Sequence, residues 1–256
     1  MATIWDPKQY LKFAAPRLRP ALDLLGQVYQ SDVKTLYDLG SGTGNLVPFF
    51  RDRWPEASII GVDNSKNMLS AARKAHRDVT WIEADIASWQ PDESADLIYS
   101  NAALQWLPEH EVLFPKLLGF LKPSGALAIQ MPRNHLAPSH SLIEDVIHSN
   151  GLVDKLRNAE ALLPVLDPEV YYNILSPFVG DLNIWESEFI QILDGDNAVA
   201  EWTKGTALKP YLDILSEEER KVFFDQYSTL VARAYPVRPD GKTLFPFRRL
   251  FIVARM

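Results

Sequence analysis

The sequence predicts an α/β fold: a Rossmann-like, doubly wound, mostly parallel seven-stranded sheet with a helical cap insertion. Three observations carry that expectation. Short apolar runs alternate with helix-period segments between residues 35 and 131, the rhythm of parallel βαβ units. The first run, Thr35-Leu36-Tyr37-Asp38-Leu39, breaks into the alternating glycines Gly40, Gly42 and Gly44 just before a helix-like segment. Acids stand at or near the ends of the first three runs, at Asp38, Asp63 and Asp85. Right-handed crossovers bring such strand ends, together with Asn101, to one edge of the sheet.

Taken in order, Asp6 and Pro7 suit the start of a short helix. Leu18, Ala21, Leu22, Leu25 and Val28 mark a second helix over 16–29. We expect residues 1–30 to lie over the site. The first strand is 35–39, and a helix over 46–54 stops before Pro55. A second strand over 58–62 leads to Asp63. Ser65 then caps a helix that carries Met68, Leu69 and Ala72. Strands follow at 79–83 and 95–99, then a helix over 109–121, a turn at 122–125 and a strand over 126–131.

After Pro132 the alternation is lost. Residues 133–180 hold helical fragments and four prolines, Pro138, Pro164, Pro168 and Pro177, which reads as a cap insertion. A strand over 181–192 follows, then helices at 197–204, 210–215 and 216–235, of which 195–235 precede the last strand. That strand spans 243–254, after a turn at Gly241. The chain as a whole, 1–256, is expected to form one domain.

Composition narrows the function. Net charge is −7, so no basic field draws the chain to nucleic acid. The absence of cysteine excludes disulfides, thiol nucleophiles and thiolate metal sites. The stretch MATIWDPKQYLKF has no signal-peptide pattern, and no run approaches the ~18 apolar residues of a membrane span. A cytoplasmic monomer without membrane or nucleic-acid partners is the expectation. His135 and His140 share no face with a third ligand, so no metal is expected.

The glycine turn carries the chemistry. Asp38-x-Gly40-x-Gly42-x-Gly44 is neither the dinucleotide G-x-G-x-x-G spacing nor a P-loop with its Gly-Lys-Ser/Thr. Bare backbone lets a ligand without phosphates approach, and Asp38 can offset an ammonium group. Asp63 suits ribose hydroxyls, Asp85 suits the adenine amine, and Asn101 lies at the same edge. The plain structural alternatives are strand-end caps for the acids and a turn former for Asn101.

With these residues in view, the chain resembles class I S-adenosylmethionine-dependent methyltransferases, and within them the trans-aconitate 2-methyltransferase family. The similarity rests on Asn101-Ala102-Ala103-Leu104-Gln105-Trp106-Leu107-Pro108, Gln130-Met131-Pro132, Tyr171-Tyr172-Asn173-Ile174-Leu175-Ser176 and Arg249-Leu250-Phe251-Ile252-Val253-Ala254. Arg17-x-Arg19-Pro20-Ala21 and Trp202-x-x-x-Thr206 add to it. The resemblance implies methyl transfer from S-adenosylmethionine to a carboxylate of trans-aconitate, leaving S-adenosylhomocysteine and a monomethyl ester. Where the family reads Gly-Cys-Gly-Pro-Gly, this chain has Gly40-Ser41-Gly42-Thr43-Gly44. Arg133, Ala137 and Lys209 replace an expected Asp, Glu and Arg.

A carboxylate is ionised at neutral pH, so its methylation needs no general base. Catalysis then comes from in-line positioning at about 3–3.5 Å, and no catalytic acid or base is assigned. A polycarboxylate needs cations, and Arg grips a carboxylate with two parallel hydrogen bonds. The substrate candidates are Arg19 and Arg249, with Arg17, Arg133, Lys209 and His140 as further cations. Tyr10, Trp106, Tyr172 and Thr206 are expected to add hydrogen bonds and walls. Two alternatives stand beside this reading: another small acceptor for the same cofactor, or a binding protein without turnover.

Overall fold

The computed structural model describes residues 14–157, 159 and 165–256, with side chains from residue 18 onward. Tyr10 and the side chain of Arg17 lie outside the described residues, as does the short helix expected to start at Asp6 and Pro7. The elements are α1 (Ala14–Gly26), β1 (Thr35–Leu39), α2 (Val47–Arg53), β2 (Ser58–Asp63), α3 (Lys66–Ala75), β3 (Thr80–Glu83) and β4 (Ala95–Asn101). A 3₁₀ turn (Leu104–Trp106) leads to α4 (His110–Leu118), β5 (Leu121–Pro132), α5 (Pro138–Ser149), α6 (Val153–Leu156) and α7 (Pro168–Leu175). The rest is β6 (Asp181–Asp194), α8 (Ala198–Lys204), α9 (Lys209–Leu212), α10 (Glu217–Ala234) and β7 (Lys242–Arg255).

The seven strands form one sheet in the order β3-β2-β1-β4-β5-β7-β6. β1 pairs in parallel with β2 and β4, β2 with β3, and β4 with β5. Arg133 N–H meets the Arg248 carbonyl while Met256 N–H meets that of Gly125, so β7 runs antiparallel to β5. All five residues of β1 are buried, which is why that segment reads as a continuous apolar run. The strand order reverses between β1 and β4, the switch point at which open α/β sheets bind ligands.

The expected turn at 122–125 is instead part of β5. Ala95 faces Leu121 whereas Leu97 faces Ala126, so extra residues of β5 are accommodated without ending the strand. Ser124 takes φ 72° there. A proline, which has no N–H, beside a left-handed residue makes a bulge as readily as a turn. The helix expected over 109–121 accordingly closes at Leu118, with Gly119 after it.

Contacts divide the chain into two compact units. Among the described residues, the sheet unit comprises 14–132, 165–187 and 250–256, and the second comprises 133–157, 159 and 188–249. The segment expected as a cap, 133–180, therefore contributes to both units. In the sheet unit, one apolar core joins Leu39, Val62, Ile98, Leu104, Phe114, Ile129, Tyr171 and Ile252, with α7 against α4. In the second unit α10 packs on α5 and α8. There the Tyr227 hydroxyl donates to the Ser139 carbonyl at 2.7 Å and lies 3.0 Å from the Thr203 hydroxyl.

Candidate active site

The glycine turn hangs from β2. The N–H groups of Gly40 and Ser41 both donate to the Val62 carbonyl, at 2.8 and 3.1 Å. Gly42 N–H donates to Asp63 Oδ2 at 2.8 Å, and Ser65 N–H to Asp63 Oδ1 at 2.8 Å. Asp63 thus ties the turn to the start of α3. Its carboxylate retains lone pairs beyond these two bonds.

Gly40 takes φ +75°, and a Cβ there would lie 2.1 Å from that of Ala103. Only glycine lets the segment after β4 press against the turn. Gly42 takes φ +56°, and a Cβ there would meet no described atom within 4 Å. Its bare backbone faces open space. That space is a cleft lined by Asp38, Gly40, Ser41, Gly42, Thr43, Asn45, Leu46 and Asn101.

Asp38 is 3% exposed. Burial, and then the neighbouring Asp63 carboxylate, push its pKa up to about 7. Burial also raises that of Asp63, against the N–H groups of Ser65, Gly42 and Asn64. Two polar atoms of the cleft, Ser41 Oγ and Asn101 Oδ1, are buried without a hydrogen-bond partner. A buried polar atom without a partner costs about 1–3 kcal/mol, and both belong to residues that line the cleft. Gly40, Gly42 and Asn101 thus line one cleft, while Gly44, at φ +76°, is not among its lining residues and a Cβ there would meet the Trp81 ring at 2.5 Å. Ser41, Thr43, Asn45 and Leu46 also line the cleft, and the sequence marks Ser41 and Thr43 only by their positions between glycines.

Asp85 is exposed and lies two residues beyond β3. Its Oδ1 accepts from Ala87 N–H at 2.9 Å and its carbonyl accepts from Trp89 N–H, so it caps the next turn. It is not among the cleft-lining residues. Among the described residues no His, Asp and Glu group is arranged to hold a metal, and no helix is long and apolar enough to cross a membrane.

Comparison with known proteins places the chain. The methyltransferase domain family matches residues 36–125. The trans-aconitate 2-methyltransferase of Azoarcus is 44% identical over 98% of this chain and 98% of its own. The chain belongs to the trans-aconitate 2-methyltransferase family. The Klebsiella pneumoniae member is 43% identical over 98% of this chain and 97% of its own. A putative methyltransferase from Bacillus halodurans shares the fold, with TM-score 0.57 and 15% identity over 93% of this chain and 98% of that one. As a member of the trans-aconitate 2-methyltransferase family, the chain is an S-adenosylmethionine-dependent methyltransferase.

The candidate substrate residues fare unevenly. Arg249 in β7 is 4% exposed, with its guanidinium 4.6 Å from the Phe247 ring centroid and 6.0 Å from that of Phe189. Arg19 is exposed on α1, 3.9 Å from Asp23. Lys209 is already paired with Asp213, the residue just after α9, at 2.8 Å. His140 is not a cation at neutral pH: burial, then His135, lower its pKa to about 4. Its Nδ1 lies 3.0 Å from Ser139 Oγ. Trp106 is half-buried in the 3₁₀ turn, and Tyr172 is exposed on α7. Arg133 N–H is used by β7, and the Thr206 hydroxyl bonds back to Trp202 and Thr203.

Proposed function

We propose that the protein transfers a methyl group from S-adenosylmethionine to a carboxylate of trans-aconitate, giving the monomethyl ester and S-adenosylhomocysteine. The observation that carries the cofactor half is Gly42. Its open left-handed backbone faces a cleft also lined by Asp38, and by Ser41 and Asn101, whose Oγ and Oδ1 have no hydrogen-bond partner in the fold. Asp38 suits the ammonium group of the cofactor's amino-acid end. Asp63 holds the turn and offers its remaining lone pairs to ribose, and Asn101 accepts or donates beside it. Asp85 remains the candidate for adenine, though its carboxylate is already engaged with Ala87. The substrate half is supported by relatives named for trans-aconitate over nearly their whole length.

When bound, S-adenosylmethionine supplies an electrophilic methyl group. The chain's own task is to bind, orient and shield. No residue has to take a proton, because the acceptor carboxylate is ionised at neutral pH. Arg249 is the cation we assign to the substrate. Its guanidinium is planar by delocalisation and lies against two aromatic rings, and such a fork can grip a carboxylate with two parallel bonds. Tyr172, Trp106 and a neutral His140 remain candidates for hydrogen bonds and walls. We place the enzyme in the cytoplasm as a monomer, a setting that its lack of cysteine fits.

A second reading, methylation of another small carboxylic acid, draws on Lys209. Its pairing with Asp213 leaves less positive charge for a third carboxylate. Incubating the protein with methyl-labelled S-adenosylmethionine and a panel of di- and tricarboxylates separates the two. Base-labile label on trans-aconitate is expected. Label on a different acid supports the second reading, and no ester from any acid overturns both.

A further inference from the structure

The sheet unit buries a histidine that methyl transfer does not use. His110, in the first turn of α4, is 6% exposed. Its Nε2 lies 2.9 Å from the Leu104 carbonyl and its Nδ1 2.7 Å from the Tyr171 hydroxyl. The ring stacks on Phe114 at 4.7 Å, and Phe114 stacks on Tyr171 at 5.3 Å. A carbonyl only accepts, so Nε2 carries the proton. Nδ1 of the neutral ring is then an acceptor, and the Tyr171 hydroxyl donates to it. The Leu166 N–H lies 3.3 Å behind, donating to the Tyr171 oxygen. Burial lowers the imidazole pKa, against the Leu104 carbonyl and Glu111, which agrees with a neutral ring. Every proton in the row has one direction, from Leu166 through Tyr171 and His110 to Leu104.

That row ends on a strained segment. Leu104 opens the 3₁₀ turn that follows Asn101 at the cleft. Ala102 sits at φ 54°, a conformation that costs an alanine free energy and persists only when its surroundings impose it. Its N–H donates to the Gln130 carbonyl at 2.9 Å, and its carbonyl accepts from Gln105 Nε2 at 2.8 Å. Ala103 stands where a Cβ on Gly40 would be. We propose that His110 and Tyr171 are positioning residues: the row of hydrogen bonds they complete anchors the Leu104 carbonyl and so holds residues 101–106 against the glycine turn, in the shape that receives the cofactor. α7, which carries Tyr171, also carries Tyr172, so the row joins a candidate substrate wall to the cofactor cleft. The effect on cofactor affinity rests on the reading of the cleft given above.

The test uses the full chain without ligand and with S-adenosylhomocysteine. In ¹⁵N-histidine-labelled protein, His110 is expected as the Nε2–H tautomer. Tyr171→Phe keeps the aromatic stack but removes the hydroxyl. It is expected to shift the backbone amides of residues 101–106 in the ligand-free protein and to raise the S-adenosylhomocysteine Kd roughly tenfold, the cost of about one hydrogen bond. His110→Phe keeps an aromatic ring in the stack but removes the donor toward the Leu104 carbonyl, and should weaken binding to a similar degree. The double variant should be no weaker than either single one, since both cut the same link. An Nδ1–H tautomer, unmoved amides at 101–106, or an unchanged Kd alongside a lowered Tm would overturn the proposal and leave His110 as packing. Failure of the unsubstituted protein to bind S-adenosylhomocysteine, with the amide shifts still present, would uphold the row and overturn the cofactor reading.

Discussion

Asp38 is an acid inside a sheet. Its folded pKa of about 7 lies above the ordinary 3.8. Between those values the folded state holds a proton that the unfolded state has released. Its contribution to stability is therefore fullest on the acid side and declines as pH rises toward 7. Cofactor binding has the opposite sign, because the ammonium group needs the ionised carboxylate. Affinity for S-adenosylhomocysteine should climb as pH rises through about 7, while urea midpoints fall. Titration calorimetry and urea melts from about pH 6 to about pH 8 check both. An affinity that is flat with pH would show that Asp38 does not face the ammonium group, and Asp38→Asn should abolish the dependence. Arg249 belongs to the same scale. Arg249→Ala is expected to raise the KM for trans-aconitate by roughly 10- to 100-fold, the range of a charged hydrogen-bonded contact, with cofactor affinity nearly unchanged. Equal loss of both would mark it as structural. Individual residues were legible where chemistry and spacing coincide, as at Gly40, Gly42 and Asp63. They were not where environment decides: nothing in the sequence shows that Asp213 already pairs with the Lys209 ammonium, or that burial keeps His140 neutral.

At the scale of elements, Asp96 fastens three strands. Its Oδ2 accepts from Lys34 N–H at 2.9 Å, Thr35 N–H at 2.8 Å and Lys122 Nζ at 2.8 Å, joining the starts of β1 and β4 to the bulge of β5. Burial opposes its ionisation, but Lys122 and the two N–H groups prevail and hold its pKa below the ordinary range. Its contribution is present above that range and is lost as pH falls through the lowered value. Asp96→Ala should cost about 2 kcal/mol in urea unfolding at neutral pH, and a loss near zero would show that the strands hold without it. Apolar runs bounded by turns made β1, β2 and β4 readable, and Ser65 marked the start of α3, where its side chain caps Met68 N–H. The bulge in β5 was not readable, because Pro123 and Gly125 signal a break equally well in a strand and in a turn. Nor was the pairing of α7 with α4, whose contact through His110 and Tyr171 joins positions far apart in sequence.

At the scale of the molecule, the sheet brings Asp38, Asp63 and Asn101 to the strand ends around one turn, as parallel topology requires. Asp85 stands just past the next strand and is spent on a local cap. The sheet unit and its cleft follow from periodicity and crossovers alone. The second unit does not, because its short helices and prolines leave no regular pattern, and the choice of acid draws on relatives rather than on spacing. The central claim is the identity of that acid. The most direct measurement offers the purified enzyme trans-aconitate together with equal concentrations of other tricarboxylates and S-adenosylmethionine, and identifies the product by mass spectrometry. Nearly all of the ester should be the monomethyl ester of trans-aconitate, formed in step with S-adenosylhomocysteine. An ester mainly on another acid, or none on any, would contradict the account.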